Sequence, residues 1–438
     1  MTRKAASHLK TVTYNAAELH GEQQALIGQF QQATTIGFYE DQPDKDCMST
    51  YADLMGAMKL RFSMVFDQQA APESRHSTEP VHTYGSFPGL LNAGAARPVA
   101  VHKITAVTVS PTHRRQGILS RQIVDDLRNA QDQGFPLAAL TASEAGIYGR
   151  FGFEPATYQT RFKLKCQDGL KLLVDLPGTV LDIDPERFAP QLDDLMARSF
   201  DRTFGSVDGT EHDKGWALGR WEGWDTLSKA KNMRHAAYYD ETGELGGFAA
   251  YKFGGWDDDD AKMVVHKLMA TNDVARLKLL EYIASHDLVR VVHAQGAPDD
   301  PLRSVLQDVR DYEVRSVDDV LWLRILDMPA AFEARGYHHE GRLALSVGDR
   351  LGLVQGTYLI EAAEGSARVK AVAADAAELA GVARVAMSER ELAGLYLGTV
   401  SLPQLLAVGR ATIQCSDSLE ENADLFAVQR APFTPYAF

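Results

Sequence analysis

Residues 107–119 read VTVSPTHRRQGIL and contain a change from strand to helix that decides the fold. The β-branched run that ends here, VHKITAVTV at 101–109, predicts a strand, and apolar residues at helical spacing over 118–131 predict a helix. The turn RRQG at 114–117 lies between them, so the helix begins at about Gly117. A helix N-terminus carries unpaired backbone N–H groups and a partial positive charge, and both attract phosphate. The stretch therefore predicts a phosphate-binding turn.

The residue types in the turn support that interpretation. Gly117 lacks a Cβ, so the backbone can approach a ligand closely, and the guanidinium groups of Arg114 and Arg115 add donors for a pyrophosphate or a 3′-phosphate. The turn is not a Walker motif, because GK[ST] is absent, and it is not a dinucleotide fingerprint, because GxGxxG is absent. Taken alone, RRxG is also explained by an ordinary basic turn, and that alternative stays open at this point.

The sequence on either side of the turn indicates what else such a ligand would meet. The edge of VTV can pair with the amides of an extended pantetheine arm, as an added strand would. Downstream, LAALTA at 137–142 predicts a strand that leads to Ser143 and then Tyr148. A thioester held between two splayed parallel strands needs a proton donor for the departing thiolate. A tyrosine suits this role because its pKa of about 10 exceeds that of a thiol, about 8.5.

At these residues the sequence resembles a known family. PTHRRQGIL at 111–119 matches motif A of the GCN5-related N-acetyltransferases, and together with ASEAGIYGRFGFEPAT at 142–157 it resembles the Eis (enhanced intracellular survival) type within that superfamily. The resemblance continues into SVDDVLWLRILDMPAAFEARGY at 316–337, LYLG at 395–398 and the terminal Phe438. It therefore extends over most of the chain.

The resemblance implies a role for each matching residue. The strand backbone would hold the pantetheine and the acetyl group, the turn and the start of the helix would wrap the pyrophosphate, and two residues after the second strand would line the other side. Tyr148 would be the general acid. The free α-carboxylate of Phe438 would be the general base that takes a proton from the attacking amine. The implied cofactor-binding residues are Val107, Thr108, Val109, Arg114, Arg115, Gln116, Gly117, Ile118, Leu119, Ser120, Ser143 and Glu144.

The role implied for Phe438 is physically coherent. A C-terminal carboxylate has a pKa of about 3.3–3.7 and is ionised at neutral pH, and an acidic, partly dry pocket would raise its basicity. The tail APFTPYAF at 431–438 is too apolar to float free in water, so we expect it to dock into the protein. The alternative is that the tail is a hydrophobic plug whose carboxylate faces water.

The resemblance also implies a mixed α/β architecture of two tandem GCN5-related acetyltransferase-like domains followed by a sterol-carrier-like α+β domain. Residues 1–165 would carry the acetyl-CoA site, 166–328 would be a second copy lacking the cofactor loop, and 329–438 would deliver the tail. RRxG is absent from the second region, which independently favours the loss of that loop. In the third region, ADAAELA, ERELAGLYLG and LPQLLAVG predict helices. The resemblance also implies a homohexamer that is built as a trimer of dimers.

Three positions depart from the family pattern. Leu119 stands where the turn often ends in glycine or alanine, Ala106 stands where a bulky aromatic could wall the acceptor pocket, and Ala437 rather than an acidic residue precedes the terminal residue. The shape and charge of the pocket, and with them a preference for aminoglycosides, stay open. An acidic stretch over 40–46 could add negative charge near the pocket, and a solvated loop is the alternative.

Composition narrows the class of protein. The 438 residues carry a formal net charge of −14, which argues against nucleic-acid binding and leaves room for a cationic substrate, although solubility alone also explains it. Three separated cysteines and histidines without HExxH predict no disulfide and no metal site. The aspartates at 257–260 predict a solvated hairpin tip rather than a calcium loop. The lack of a long apolar run and of a secretory signal favours a cytoplasmic protein without a membrane span.

The sequence therefore predicts an acetyl-CoA-dependent N-acetyltransferase that moves the acetyl group directly to a primary amine of a cationic small molecule. Aminoglycosides acetylated at several positions are one acceptor class, and polyamines or protein lysines are alternatives. No cysteine lies near Tyr148 in sequence, which favours direct transfer over a covalent enzyme intermediate. A different class of function is a lipid-binding module whose transferase site is vestigial.

Overall fold

The computed structural model of the chain describes residues 8–43, 47–222, 227–257 and 260–438. Both predicted strands around the turn and the predicted helix after it are confirmed in the first region. Ile123, Leu127 and Ala130 are fully buried along one face of that helix, because their spacing places them on the same side. The elements of the first region are β1 (Leu9–Asn15), α1 (Ala25–Phe38), α2 (Met48–Ala57), β2 (Arg61–Asp67), β3 (His82–Leu91), β4 (Val99–Val109), α3 (Ile118–Asp132), β5 (Leu137–Thr141), α4 (Ala145–Tyr148) and β6 (Glu154–Pro155).

The second region has three strands, a helix and a further strand over 234–296. Its long first helix begins at Pro185, where the Asp184 side chain accepts a hydrogen bond from the Arg187 backbone N–H at 3.0 Å. Of the four aspartates at 257–260, residues 258 and 259 lie outside the described residues. The elements are β7 (Tyr158–Lys165), β8 (Thr179–Asp182), α5 (Pro185–Arg202), α6 (Glu211–Ala217), β9 (Arg234–Tyr239), β10 (Leu245–Asp257), β11 (Asp260–Ala270), α7 (Asp273–Ala284), β12 (Val291–Gly296), α8 (Leu302–Val305), β13 (Tyr312–Asp319) and β14 (Leu321–Ile325).

The two halves exchange one strand each. The first sheet has the order β1-β2-β3-β4-β5-β14-β6, and the second has the order β13-β7-β12-β11-β10-β9-β8. Strand β7 therefore leaves the first region to pair with β12 and β13, while β14 returns to pair with β5 and β6. The boundaries predicted at residues 165 and 328 divide the chain by sequence but not by sheet, because the pairing that places these strands is non-local.

The third region forms a five-stranded sheet and several short helices. Capping boxes at Ser388 and Ser401 start two of the predicted helices. The helix predicted for ADAAELA at 374–380 is wrong, since the structure has only a three-residue 3-10 turn there and Ala376 offers no capping side chain. The elements are α9 (Met328–Glu333), β15 (Gly341–Gly348), β16 (Gly356–Ala363), β17 (Ser366–Val372), β18 (Ala383–Ser388), α10 (Glu389–Tyr396), α11 (Leu402–Ala407), β19 (Ala411–Cys415) and α12 (Leu419–Asn422).

The third region packs directly on the first sheet. The buried Arg324 on β14 donates to the buried Asp349 at 2.7 Å, and Asp349 also accepts from the backbone N–H groups of Leu351 and Val354. A single apolar cluster joins the sheets, with fully buried members such as Leu323, Phe248 and Leu345. The strand order β17-β16-β15-β18-β19 leaves the last residues of the chain free to cross back over the first two regions.

Candidate active site

Strands β4 and β5 run parallel and then separate. They pair as far as Ile104 opposite Leu140, and β4 continues without β5 to Val109. The backbone of β4 is bulged at the same place: Ala106 has a φ of 53°, and the Thr83 hydroxyl donates to the Ala106 carbonyl at 2.8 Å. The last residues of β4 therefore have a backbone edge that is not paired with β5. This edge faces the opening between the two strands.

The turn after β4 presents the start of α3 to a cavity of about 510 Å³. Gly117, the N-cap residue, has a φ of 78°, and a Cβ there would meet no atom within 4 Å, so the position needs glycine for its backbone angle and faces open space. The guanidinium-bearing Arg114 and Arg115 line the same cavity. All of the predicted cofactor residues line it except Gln116.

The opposite wall of this cavity was not predicted. It is formed by Gly37, Phe38 and Tyr39 at the end of α1. A Cβ at Gly37 would lie 2.5 Å from side-chain atoms of Thr108, so glycine lets α1 pack closely on β4. The sequence of this helix carries no motif that points to a ligand.

Tyr148, at the end of α4, lies where two cavities meet. It lines the cavity in front of α3 and also a second cavity of about 390 Å³. Burial and, to a lesser extent, the nearby Glu144 carboxylate raise the pKa of its hydroxyl to about 12, against the opposing effect of a hydrogen bond with Ser143. The phenol is therefore protonated throughout the neutral range and available as a proton donor.

The terminal residue lines the second cavity together with Tyr148. The Phe438 backbone N–H donates to the Thr141 hydroxyl at 3.4 Å, at the end of β5 where the strands separate. Its ring packs edge-on against Phe87 at 5.7 Å and lies 5.3 Å from the ammonium group of the buried Lys103. The prediction that the tail docks into the protein is confirmed, and Phe438 and Tyr148 are brought to one cavity from opposite ends of the chain.

Helix α6 of the second region closes the second cavity. His212 and Trp216 line it, as do residues of α1 and α2. Sequence reasoning missed this contribution, because neither residue belongs to a recognisable motif and both lie far from the turn in sequence. Glu40 from the acidic stretch also lines the cavity and is exposed at its rim. Residues 44–46 of that stretch lie outside the described residues.

Comparisons with known proteins place this geometry in a family. Two models of an acetyltransferase (GNAT) domain match residues 81–156 and 215–325, and a sterol carrier protein domain matches 328–435. The chain is 30% identical to the N-acetyltransferase Eis of Mycobacterium tuberculosis, over 76% of this chain and 80% of that protein. The chain belongs to the Eis-type N-acetyltransferases. It is also 31% identical to an uncharacterized N-acetyltransferase of Streptomyces griseus, over 82% of this chain and 86% of that protein.

Solved structures agree with the fold of this Eis-type N-acetyltransferase. A GCN5-related N-acetyltransferase from Anabaena variabilis superposes with a TM-score of 0.77 at 18% identity, over 98% of this chain and all of the other. Eis1 from Mycobacterium abscessus gives a TM-score of 0.75 at 22% identity, with the same coverage. The predicted family, the tandem acetyltransferase domains and the sterol-carrier-like domain are confirmed.

The second acetyltransferase domain of this Eis-type enzyme differs where the first has its turn. Only residues 271–272 separate β11 from α7, whereas residues 110–117 separate β4 from α3. The N-terminus of α7 is capped by the Asn272 side chain, which accepts from the Ala275 N–H at 2.8 Å. Its first residue, Asp273, pairs with Arg430 of the tail at 2.9 Å. Acidic residues and the chain's own tail thus stand where a phosphate turn would be.

A buried polar cluster fixes α3 behind the Eis-type site. Asp126 accepts from the Tyr84 hydroxyl at 2.8 Å and pairs with His102 Nε2 at 2.6 Å and Arg61 at 3.3 Å. Burial, and then the Asp126 charge, raise the pKa of Tyr84 well above its ordinary value. The cluster joins α3 to three strands of the sheet, so it sets the angle at which the helix N-terminus faces the cavity.

Other parts of the described chain carry no sign of a metal site. Among the residues that the structure describes, no group of three His, Cys, Asp or Glu side chains is arranged to hold a metal ion. Among the same residues, Cys47, Cys166 and Cys415 form no disulfide. Within the same residues, no helix has the length and apolar character needed to cross a membrane.

Proposed function

We propose that this enzyme takes its acetyl group from acetyl-CoA and transfers it directly to a primary amine. The observation that carries the proposal is the position of Tyr148, which lies where the cavity in front of α3 meets the cavity that contains Phe438. One cavity has the shape and donors for a phosphate-bearing, extended cofactor, and the other is lined by the terminal residue. The reacting thioester would lie between them.

The first cavity supplies what a CoA ester needs. The uncovered edge formed by Val107, Thr108 and Val109 would pair with the pantetheine amides. The N-terminus of α3 and the turn from Arg114 to Gly117 would bind the pyrophosphate through N–H groups and guanidinium groups. Ser143 and Glu144 would line the opposite side.

The transfer would then be a single displacement. The amine nitrogen attacks the acetyl carbonyl carbon, a C–N bond forms, and the C–S bond breaks. The proton lost by the amine passes to the carboxylate of Phe438, and the departing thiolate takes the proton of the Tyr148 hydroxyl. Because the pKa of Tyr148 is about 12 and that of a thiol is about 8.5, proton transfer accompanies the breaking of the C–S bond and does not precede it.

The acceptor is a primary amine of a cationic small molecule, and an aminoglycoside acetylated at several positions is one candidate. The relatives named above support the transferase class but not the acceptor. Polyamines and protein lysines present the same nucleophile, so the chemistry of the reaction does not distinguish them. The dimensions and charge of the second cavity, which would hold the acceptor, do distinguish these classes of amine.

The test is release of free CoA thiol from acetyl-CoA by untagged protein, with a panel of aminoglycosides, polyamines, lysine peptides and simple amines. Amine-dependent release supports the transferase and ranks the acceptor classes. Acetyl-CoA that fails to bind in calorimetry contradicts the proposal. Lipid retained through purification, together with absent acetyl-CoA binding, would support the alternative of a lipid-binding module.

We also propose a homohexamer built as a trimer of dimers, in the cytoplasm. Strand β13 lies at the edge of the second sheet, and its Val314 and Val317 are 43% and 57% exposed. An edge strand with exposed valines is a surface that a second copy can cover. Sedimentation equilibrium of the untagged protein tests the assembly, and a monomer at micromolar concentration would contradict it.

A further inference from the structure

The acceptor cavity is the second cavity, which contains Phe438, and it is lined mainly by apolar side chains. Aromatic side chains surround it on several sides, and aliphatic side chains from α2, including Leu54, Met55 and Met58, complete the wall. The wall also includes Leu60, just before β2. The aromatic members are Phe30, Phe38, Tyr51, Tyr148, Trp216 and Phe438.

Negative charge is scarce in the same lining. Among the described residues that line the cavity, Glu40 is the one acidic side chain, and it lies exposed at the rim. The other anion is the carboxylate of Phe438. Lys103, behind the Phe438 ring, is buried and already pairs with Asp208 at 2.5 Å. Among the described residues, the lining therefore offers two carboxylates, that of the terminal residue Phe438 and that of Glu40 at the rim.

This distribution of charge discriminates between acceptors. An amine bound for reaction becomes neutral as it loses its proton to the terminal carboxylate, so one amino group is accommodated. Each further ammonium group held inside the cavity would face apolar side chains, since Glu40 at the rim is the one acidic side chain among the described residues of the lining, and a buried charge without a partner is strongly unfavourable. Aromatic faces attract a single cation and pack well against an apolar body.

We propose that the acceptor is a monoamine whose single primary amino group is carried on an apolar, aromatic or aliphatic, body, and that polycationic amines are poor acceptors. The inference rests on the proposed transferase function and specifies its substrate class. Acceptor cavities of about 390 Å³ are large enough to enclose a small amine of this kind.

The closing experiment compares hexylamine with 1,6-diaminohexane, which have the same length and differ by one ammonium group. Thiol release is measured as kcat/KM at saturating acetyl-CoA, with phenethylamine, spermidine, kanamycin and a lysine peptide alongside. We expect hexylamine to exceed the diamine by at least about tenfold and phenethylamine to exceed kanamycin in the same direction. Equal or better kcat/KM for the diamine or for kanamycin would overturn the inference while leaving the transferase proposal intact.

A paired substitution keeps the test independent of folding. Met58 is half-buried at the cavity wall, so Met58→Glu adds a carboxylate there and Met58→Leu keeps the wall apolar. We expect Met58→Glu to narrow the ratio between hexylamine and the diamine by at least about fivefold and Met58→Leu to preserve it. An unchanged ratio in a folded Met58→Glu protein would overturn the assignment of this cavity. Failure of every amine to release thiol would instead contradict the proposed function.

Discussion

At the scale of the residue, the hydroxyl of Tyr148 is the group whose removal tests the chemistry most directly. Tyr148→Phe keeps the ring and the cavity wall but removes the proton that the thiolate would take. We expect kcat to fall about 100- to 10,000-fold, the range typical of a lost general acid, while the Kd for acetyl-CoA stays within about twofold. Single-turnover thiol release and calorimetry measure the two quantities.

The matched control for Tyr148 is Tyr158→Phe on β7, outside both cavities. It makes the same chemical change and should leave kcat at the wild-type value. A Tyr148→Phe enzyme that turns over at the wild-type rate would remove this residue from the reaction.

Phe438 is tested by changing the end of the chain. Deleting Phe438 moves the α-carboxylate to Ala437, away from the end of β5, and a C-terminal extension replaces it with a neutral amide. We expect both changes to lower kcat by at least about 100-fold, as for other positioned proton acceptors. An N-terminal extension of equal length is the control. Full activity of both altered proteins would leave the tail as a hydrophobic plug.

His82, at the start of β3, predicts a dependence of stability on pH. Burial lowers its pKa to about 4, against a partial increase from its hydrogen bond with the Thr108 carbonyl. The unfolded chain, with a histidine pKa of about 6.5, takes up a proton that the folded chain excludes. Its contribution is therefore complete above about pH 6.5 and is lost as the pH falls toward 4, by about 1.4 kcal/mol per pH unit.

The readout for His82 is the slope of unfolding free energy between pH 6.5 and 4, obtained from urea titrations. We expect His82→Gln to have a shallower slope, and His20→Gln, at an exposed position, to keep the wild-type slope. Equal slopes in wild type and His82→Gln would mean that this histidine is protonated in the folded protein.

The contribution of a residue to the site could be predicted from the sequence where neighbouring residues in the chain determine its position. Residues on the turn and the start of α3 line the cavity as predicted because one strand, one turn and one helix position them. Gln116 was included by continuity of the motif and is not among the residues that line the cavity. Trp216 reaches the site only because a second domain folds over the first, and nothing in its own segment indicates that contact.

At the scale of the element, the junction between β4 and α3 is where backbone conformation controls binding. Gly117 has a φ of 78°, and Gly134, just beyond the other end of the same helix, has a φ of 84°; neither position has an atom within 4 Å of an added Cβ. Alanine is strained by roughly 1–2 kcal/mol at either site. Only Gly117 lies at the helix N-terminus, whose backbone N–H groups would face a phosphate.

The pair Gly117→Ala and Gly134→Ala therefore separates affinity from stability. Both variants should lose a similar amount of unfolding free energy, measured by urea denaturation. We expect Gly117→Ala alone to raise the Kd for acetyl-CoA, by about tenfold, a loss of about 1.4 kcal/mol. Equal Kd values in the two variants would mean that the turn does not bind the cofactor.

Elements whose placement depends on distant partners could not be predicted in the same way. The alternation of apolar residues in β7 and β14 indicates strands, but not which sheet each joins. The exchange of these two strands is decided by pairing with residues more than a hundred positions away along the chain. The family and its three domains could therefore be predicted from the sequence, but the exchange of strands between the two sheets could not.

At the scale of the whole molecule, the second domain holds the tail that reaches the first. Arg430 pairs with Asp273 at 2.9 Å and with Asp299 at 3.1 Å, and the Ala431 N–H donates to Asp299 at 2.9 Å. Asp273 is the first residue of α7, and Asp299 lies just after β12. The second domain, which lacks the RRxG turn, thus fixes the path of the chain toward Phe438.

Arg430→Ala should make the tail less firmly held on the second domain. Arg430 lines neither of the two cavities that meet at Tyr148. Partly exposed ion pairs each contribute about 0.2–1 kcal/mol, so we expect kcat to fall about three- to tenfold while the Kd for acetyl-CoA is unchanged. Arg350→Ala, at an exposed position of the third domain, is the control. If Arg430→Ala keeps wild-type kcat while deletion of Phe438 abolishes turnover, the apolar contacts of Tyr436 and Phe438 hold the tail by themselves, and the second domain's acidic residues are dispensable for catalysis.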